Sequence, residues 1–164
     1  MTTSQDYEFR RMTYDDLPML MRWRAQPHVL EWWDAPELDD QNEPDDPRVT
    51  RCIVSFRQQP FGYIQDYDVH GWEGHHFADL PRHARGIDQF IGEPDMIGKG
   101  HGTRFISVRM KALFGGGAPV IATDPHPDNA RAIAVYRKLG FQPAGEPQDT
   151  QWGRILPMLA RPRV

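Results

Sequence analysis

The stretch Ile97-Gly98-Lys99-Gly100-His101-Gly102-Thr103 decides how this chain folds. Its alternating glycines allow a tight turn and a close approach of the backbone to a ligand. Successive backbone N–H groups can then point into one concavity, beside the positive end of a helix dipole. The stretch therefore predicts a site for phosphate or pyrophosphate. A helical pattern follows at once, with apolar side chains at Phe105, Ile106, Val108, Met110, Leu113 and Phe114.

Two better-known phosphate loops do not fit this stretch. A nucleotide-triphosphatase loop ends in a Gly-Lys-Ser/Thr triplet, which the stretch lacks. Phe105 stands where the dinucleotide fingerprint has its third glycine. By itself, the stretch is equally compatible with an ordinary glycine-rich turn before a helix.

A second pattern lies downstream, in residues 120–141. The apolar run at 120–123 is typical of a buried strand, and the two prolines in 124–127 end it. Asp128 or Asn129 can cap a helix that begins at Ala130. The apolar stripe of that helix is Ala132, Ile133, Tyr136 and Leu139, and Gly140 and Phe141 mark its end and the next strand.

The first half of the chain predicts strands and a helix around one central strand. Thr13 and Asp16 form a helix-start signal, and Leu17, Leu20, Met21 and Trp23 follow it at helical spacing. The remaining predictions are a first strand at Tyr7 and Phe9, a hairpin with strands 51–56 and 61–67, a loop at 34–47 with a plausible short helix at 39–42, a loop at 70–82, and a central strand at 85–91.

Two separated motifs carry a family resemblance. They are Gly98-Lys-Gly-His-Gly-Thr103 and Asn129-Ala-Arg-Ala-Ile-Ala-Val-Tyr136-Arg-Lys-Leu-Gly140-Phe141. In this order they resemble the GCN5-related N-acetyltransferase (GNAT) superfamily. Nearly the whole chain from Tyr7 is also similar to the aminoglycoside 6'-N-acetyltransferases. That similarity is carried by Glu31-Trp32-Trp33, Phe61-Gly62-Tyr63-Ile64-Gln65-Asp66-Tyr67, Arg85-Gly86-Ile87-Asp88-Gln89 and Thr123-Asp124-Pro125.

The resemblance implies a fold and a cofactor. The fold would be α/β, with a central twisted, mostly antiparallel sheet that is splayed at the acetyl-CoA site and flanked by helices. The cofactor would be acetyl-CoA, with its pyrophosphate on the glycine loop and its pantetheine arm along the backbone of the central strand. The residues implied in cofactor binding are Phe90, Ile91, Ile97, Gly98, Lys99, Gly100, His101, Gly102, Thr103 and Asn129.

Asp88 and Tyr136 are the catalytic candidates. Acetyl transfer needs a neutral amine, and a carboxylate can take the proton of an ammonium group directly or through a water. Asp88 lies within an apolar strand, where a carboxylate is unusual, and this favours a catalytic role. The alternative interpretations are a surface-facing position or an ion pair with Arg85. The family match implies that Tyr136 protonates the departing thiolate, whereas helical spacing alone favours a core aromatic. Asn129 can serve as helix cap and pantetheine ligand at once.

The acceptor is expected to be a small cationic amine, most simply the 6'-amine of an aminoglycoside. Carboxylates would bind ammonium and hydroxyl groups, while tryptophan faces would hold sugar rings and cations. Trp32 and Trp33 can instead be a core residue and a loop cover, and Asp124 also suits a plain turn. The candidate acceptor residues are Trp32, Trp33, Asp66, Asp68, Trp72, Asp88, Asp124 and Asp149.

Two departures from the family leave the acceptor open. The family often has Gln or Arg at the position of Ile97, but backbone groups do most of the phosphate binding. Residues 69–76 do not closely follow the acidic, tryptophan-rich segment expected of an aminoglycoside enzyme. The alternatives are a siderophore hydroxylysine, a polyamine, an amino-acid derivative, or a non-catalytic acyl-CoA-binding module. Converging carboxylates at residues 70–76 would indicate an aminoglycoside, and Arg or His there a carboxylated substrate.

Composition predicts one domain over residues 1–164, too short for two comfortable domains. The net charge of −4 disfavours nucleic acid and anionic membranes as partners. An N-terminus without the features of a signal peptide and a single cysteine, Cys52, suit a cytoplasmic location.

No metal site is expected from the seven histidines, because His75 and His76 point apart on an extended chain. A monomer and a homodimer remain open.

Overall fold

The computed structural model describes residues 1–33 and 44–163. The plausible helix at 39–42 lies outside the described residues. The helices are α1 (Leu17–Arg24), α2 (Pro27–Leu30), α3 (His101–Gly115) and α4 (Ala130–Lys138). The strands are β1 (Tyr7–Arg11), β2 (Val49–Phe56), β3 (Gln59–Asp68), β4 (Arg85–Ile91), β5 (Ile121–Thr123), β6 (Gln142–Pro143), β7 (Gln148–Thr150), β8 (Gly153–Ile155) and β9 (Met158–Ala160).

Seven strands form one sheet in the order β1-β2-β3-β4-β5-β9-β6, and β7 pairs with β8 in a separate ribbon. β1 with β2, β5 with β9, and β6 with β9 are antiparallel, whereas β4 and β5 are parallel. The parallel pairing covers only Arg85 with Ile121 and Gly86 with Ala122. Beyond it, the hydroxyl of Thr123 donates to the carbonyl of Ile87 at 3.2 Å. The sheet thus opens after Gly86, which confirms the expected mixed α/β fold with a splayed, mostly antiparallel sheet.

The described residues fall into two compact units. The first comprises Met1–Gln65 and Gln89–Phe105. Its core is built from α1, α2 and the inner faces of β2, β3 and β4, with Trp23, Ile53, Tyr63 and Phe90 among its buried residues. Thr13 and Asp16 form the expected capping box before α1, because the Asp16 carboxylate accepts from the Thr13 backbone N–H at 2.8 Å.

The second unit comprises Asp66–Asp88 and Ile106–Val164. It contains most of α3, the helix α4, and strands β5 to β9. Asn129 caps α4 as expected, because its side-chain oxygen accepts from the backbone N–H of Ala132 at 3.1 Å. Gly140 follows α4 with a φ of +98°, the left-handed conformation expected after a helix end.

The predicted elements and the described ones agree closely. The central strand has the bounds predicted for it, α4 begins at Ala130, and the hairpin turns at Arg57 and Gln58. Residues 70–82 contain turns and no helix or strand. None of the helices in residues 1–33 and 44–163 is long and apolar enough to cross a membrane. The single functional domain over 1–164 stays a prediction.

Candidate active site

The glycine loop adopts the backbone shape that its sequence predicts. Gly98 and Gly100 have φ values of +78° and +83°, which side chains rarely tolerate. The loop runs directly into α3, whose first backbone N–H groups lack partners within the helix. Lys99 is exposed, and the exposed guanidinium of Arg104 donates to the Lys99 carbonyl at 3.0 Å. The loop therefore combines a tight glycine turn and the start of a helix with two exposed cations, which suits a diphosphate.

The side chain of His101 anchors this loop instead of facing a ligand. It is buried, and Tyr7 Oη lies 2.6 Å from its Nδ1. The rings of Phe56 and Phe61 lie 4.5 and 5.3 Å from the imidazole. Burial lowers the pKa of His101, which favours the neutral imidazole. His101 can contribute to cofactor binding only through its backbone.

The loop leaves space where a cofactor would approach. A Cβ added at Gly102 would meet only Cδ1 of Ile91, at 4.0 Å. Thr103, in the first turn of α3, is half-buried. These residues therefore fit the expected diphosphate group of acetyl-CoA, with a cradle that a larger side chain at position 102 would begin to fill.

Only the backbone of Phe90 and Ile91 can serve the predicted pantetheine contacts. The Phe90 ring is buried in the core and stacks on Tyr63 at 5.3 Å. The Ile91 carbonyl accepts from Nε2 of His28 at 2.8 Å, which uses one of its two lone pairs. His28 thus fixes the end of the central strand, and sequence patterns gave no sign of this contact.

A pair of carboxyl groups lies in the second unit. Asp88, on β4, and Asp124, just after β5, are hydrogen-bonded to each other. Asp124 is 16% exposed, and burial raises its pKa to about 7, while the hydrogen bond with Asp88 acts in the opposite direction. The pair can therefore bind or release a proton close to neutral pH, as a general base requires. Asp88 was the predicted base, and its partner was predicted only as an acceptor ligand.

His76 joins this pair from the loop between β3 and β4. Its Nε2 lies 2.8 Å from Oδ2 of Asp124, and its side chain is only 5% exposed. Burial lowers the pKa of His76, although nearby Asp88 raises it. Among the described residues, its Nδ1 has no hydrogen-bond partner. No local sequence pattern indicated the contact between His76 and Asp124, which joins a loop to the end of a distant strand.

Tyr67 lies beside the carboxyl pair, and Tyr136 lies beside Tyr67. Burial, together with Asp124 and Asp88, raises the pKa of Tyr67 well above its usual value. Tyr136 acts in the same direction, which places its phenol near that of Tyr67. Tyr67 fits against β4 because Gly86 has no side chain: a Cβ there would lie 2.2 Å from the ring. The candidate acid Tyr136 is buried and packs on Phe141 at 5.4 Å.

Aromatic rings surround His76. Trp152, in the turn between β7 and β8, is 43% exposed and lies 5.7 Å from the His76 ring and 6.5 Å from Trp72. His75 stacks on His76 at 4.2 Å, and burial lowers its pKa to about 4. The predicted acceptor residue Trp72 thus lies in an aromatic cluster, but Trp152 was missed. A tryptophan before a glycine at a hairpin tip was the signal available in the sequence.

Asp66 and Asp68 do not join the carboxyl pair, contrary to the predicted acceptor site. They alternate with Tyr67 on β3 and so face the opposite side of the strand. Asp66 is 3% exposed, and its two oxygens accept from Arg85 at 2.7 Å and from Arg109 at 2.6 and 2.9 Å. With both oxygens committed to guanidinium groups, Asp66 is a structural ion-pair centre. Asp66 and Asp68 both line an open cavity of about 540 Å³, and Asp68 accepts from the backbone N–H of His70 at 2.9 Å.

The other predicted acceptor residues are dispersed. Trp33 packs against the core of the first unit, and its ring makes a T-shaped contact with that of Phe90 at 5.0 Å. This position agrees with the alternative in which one of the two tryptophans is a core residue. Trp32 is exposed. Asp149 is 82% exposed and pairs with Arg154 at 3.1 Å on the β7–β8 ribbon. Within residues 1–33 and 44–163, no group of three His, Cys, Asp or Glu side chains could hold a metal ion.

The fold and these sites define an acyltransferase class. A family model described as an acetyltransferase (GNAT) domain matches residues 13–148. The chain therefore belongs to the GNAT acetyltransferase family.

Relatives and solved structures agree with that assignment. The aminoglycoside N(6')-acetyltransferase type 1 of Klebsiella pneumoniae is 35% identical over 161 residues, which cover 88% of this chain and 78% of that protein. The structure of AAC(6')-Ib with paromomycin and acetyl-CoA is 34% identical, with a TM-score of 0.85 over 95% of this chain and 93% of that one. AAC(6')-Ib with coenzyme A and kanamycin is 34% identical, with a TM-score of 0.84 and 94% of each chain covered.

Proposed function

We propose that this protein transfers the acetyl group of acetyl-CoA to the 6'-amine of an aminoglycoside, directly and within a ternary complex. The observation that carries the proposal is the Asp88–Asp124 pair, which can exchange a proton near neutral pH and lies beside exposed tryptophan surface. The relatives named above support the choice of acceptor. The described residues offer no arrangement that calls for an acyl-enzyme intermediate.

The glycine loop is the cofactor half of the proposal. Backbone N–H groups of the loop and of the first turn of α3 would bind the diphosphate, assisted by Lys99 and Arg104. The backbone of Phe90 and Ile91 would hold the pantetheine arm as a neighbouring strand would, and Asn129 is retained as a further ligand. When bound, acetyl-CoA supplies the acetyl group as a thioester that a neutral amine can attack.

The carboxyl pair is the acceptor half. Asp88 would bind the ammonium form and take its proton, which restores the lone pair on nitrogen. Asp124 would share that proton and add negative charge for the substrate's other cationic groups. Tyr136 would hold the proton on its Oη that the departing sulfur needs. The charge of the amine is thus removed where it is bound.

Acceptor choice follows from what lies around the pair. Two carboxyl groups converge on the segment 70–76, which favours a cationic acceptor, and His75 and His76 lie there with Trp72 and Trp152. The pKa values of both histidines are lowered, so they remain neutral and give a carboxylated substrate no cation to bind. We retain a cytoplasmic location, and a monomer or homodimer, as parts of the proposal.

The test is release of coenzyme A thiol from acetyl-CoA with a panel of amines. Kanamycin and tobramycin should give rapid release, and analogues with a hydroxyl in place of the 6'-amine should give none. Lysine derivatives and polyamines are the competing acceptors. Turnover of one of these, with none on kanamycin, would contradict the proposed acceptor. Coenzyme A binding without turnover of any amine would favour a binding module.

A further inference from the structure

The orphaned nitrogen of His76 identifies which tautomer the ring adopts. Nε2 is 2.8 Å from Asp124, whereas the buried Nδ1 has no partner among the described residues. A buried N–H without an acceptor costs more than a buried lone pair without a donor, because an unmet donor is the rarer case in folded proteins. The proton therefore belongs on Nε2, and His76 donates to Oδ2 of Asp124.

This donation constrains where Asp124 can hold a proton. Oδ2 of Asp124 accepts from His76, and the same carboxyl group also shares a hydrogen bond with Asp88 and accepts from its own backbone N–H. We propose that His76 is a positioning residue whose Nε2–H bond fixes the orientation of Asp124 and keeps the proton of the Asp88–Asp124 pair between those two carboxyl groups. The catalytic consequence rests on the function proposed above, but the positioning does not.

The surroundings of His76 hold it in this role. His75 stacks on one side at 4.2 Å, and Phe77 and Trp152 lie at 4.5 and 5.7 Å. Such packing on three rings leaves the imidazole little freedom to turn away from Asp124. The titratable groups that face His76 or its partner are Asp124 after β5, Asp88 on β4, Tyr67 on β3 and His75 on its own loop. One step further out, Tyr136 on α4 acts on Tyr67, and His70 acts on His75.

The bond also sets when the pair can accept a proton. A donor aimed at Asp124 stabilises the ionised carboxylate and therefore lowers the pKa of the pair. Without the donor, burial would hold a proton on the pair up to a higher pH, and at a given pH a smaller fraction of Asp88 would be free to take the proton of the amine. The acidic limb of the kcat/KM profile should consequently move upward when the donor is removed.

The matched variants are His76→Phe, which keeps the ring without the donor, and His76→Gln, which keeps an N–H of similar reach. His76→Phe should shift the acidic limb of kcat/KM upward by about one pH unit, about tenfold in the proton affinity of the pair. His76→Gln should shift it by less than half as much. In an Asp124→Asn background, His76→Phe should leave the limb unmoved, because the pair no longer exists.

A measurement without any acceptor separates this inference from the proposed function. Histidine labelled with ¹⁵N should report the neutral Nε2–H tautomer of His76, and the ¹³C-labelled carboxyl of Asp124 should titrate at higher pH in His76→Phe than in the parent protein. An unchanged Asp124 titration in His76→Phe, or an equal shift in His76→Gln, would overturn the inference. If no amine is acetylated, the carboxyl titration still decides it.

Discussion

The glycine loop and the carboxyl cluster show two ways of building a site. The loop, in the first unit, is one continuous stretch that acts through its backbone, and glycines at fixed spacing encode it. The cluster, in the second unit, joins side chains from positions 67, 76, 88 and 124, with Tyr136 next to Tyr67, and no local spacing relates them. The loop suits a cofactor that many related enzymes share, whereas the cluster can change residue by residue with the acceptor.

The largest expected effect tests whether the cluster carries the chemistry. Asp88→Asn should lower kcat with kanamycin by roughly 10²–10⁴-fold, because a positioned base contributes about that much. Binding of acetyl-CoA, measured by calorimetry, should be unchanged. The matched control is Asp68→Asn, on the opposite face of β3 from Tyr67, with activity expected within about twofold of the parent. Equal losses of activity in Asp88→Asn and Asp68→Asn would contradict the assignment of Asp88, and not Asp68, to the catalytic cluster.

The next effect separates a structural aspartate from a catalytic one. Asp66→Asn removes the negative charge and one of the two acceptor oxygens that Arg85 and Arg109 share, so both guanidinium groups lose their counter-charge. The free energy of unfolding should fall by about 3–5 kcal/mol, as for other broken buried ion pairs. Urea unfolding measures the loss, and kcat per folded molecule should be preserved. If Asp66→Asn were as stable as the parent protein but inactive, Asp66 would instead be a residue of the acceptor site.

A smaller effect is expected in the loop. Gly100→Ala forces a side chain into a φ of +83° and brings its Cβ to 3.1 Å from the Arg104 guanidinium. The free loop should relieve this strain of about 1–3 kcal/mol by leaving the observed backbone conformation, and restoring that conformation should weaken acetyl-CoA binding roughly tenfold. Gly115→Ala is the control, because nothing lies within 4 Å of its added Cβ at the end of α3. Calorimetric affinities that fall equally in both would contradict the backbone role of the loop.

The smallest effect concerns acid stability. His75, whose pKa is lowered to about 4, stays neutral in the folded chain while the unfolded chain takes up a proton below about pH 6.5. Stability from this residue is therefore lost as the pH falls from about 6.5 to 4. Asp124, with its pKa raised to about 7, contributes with the opposite sign over much of that range. His75→Phe should reduce the acid loss by up to about 1.4 kcal/mol per pH unit in urea titrations. A steeper loss of stability with falling pH in His75→Phe than in the parent protein would contradict this prediction.

What the sequence predicts well is what local patterns encode. The capping box at Thr13 and Asp16, the cap Asn129 and the stop at Gly140 each depend on a few neighbouring residues, and the structure contains all of them. The central strand was predicted with its observed bounds, since its apolar run and the glycine loop limit it on one side.

What the sequence predicts poorly depends on which face of an element a side chain occupies and on long-range contacts. Asp66 and Asp88 look alike as carboxylates within strands, yet one meets two arginines and the other meets Asp124. His76 and Trp152 come from a loop and a hairpin tip, whose positions are set only when the strands pair. Only the packed fold distinguishes these cases.

The central claim is tested most directly by identifying the product made from kanamycin and acetyl-CoA. The account predicts a singly acetylated kanamycin, with the acetyl group on the 6'-nitrogen by NMR, formed together with one equivalent of coenzyme A thiol. Acetylation at a different nitrogen, or no product from a folded protein that binds coenzyme A, would contradict it.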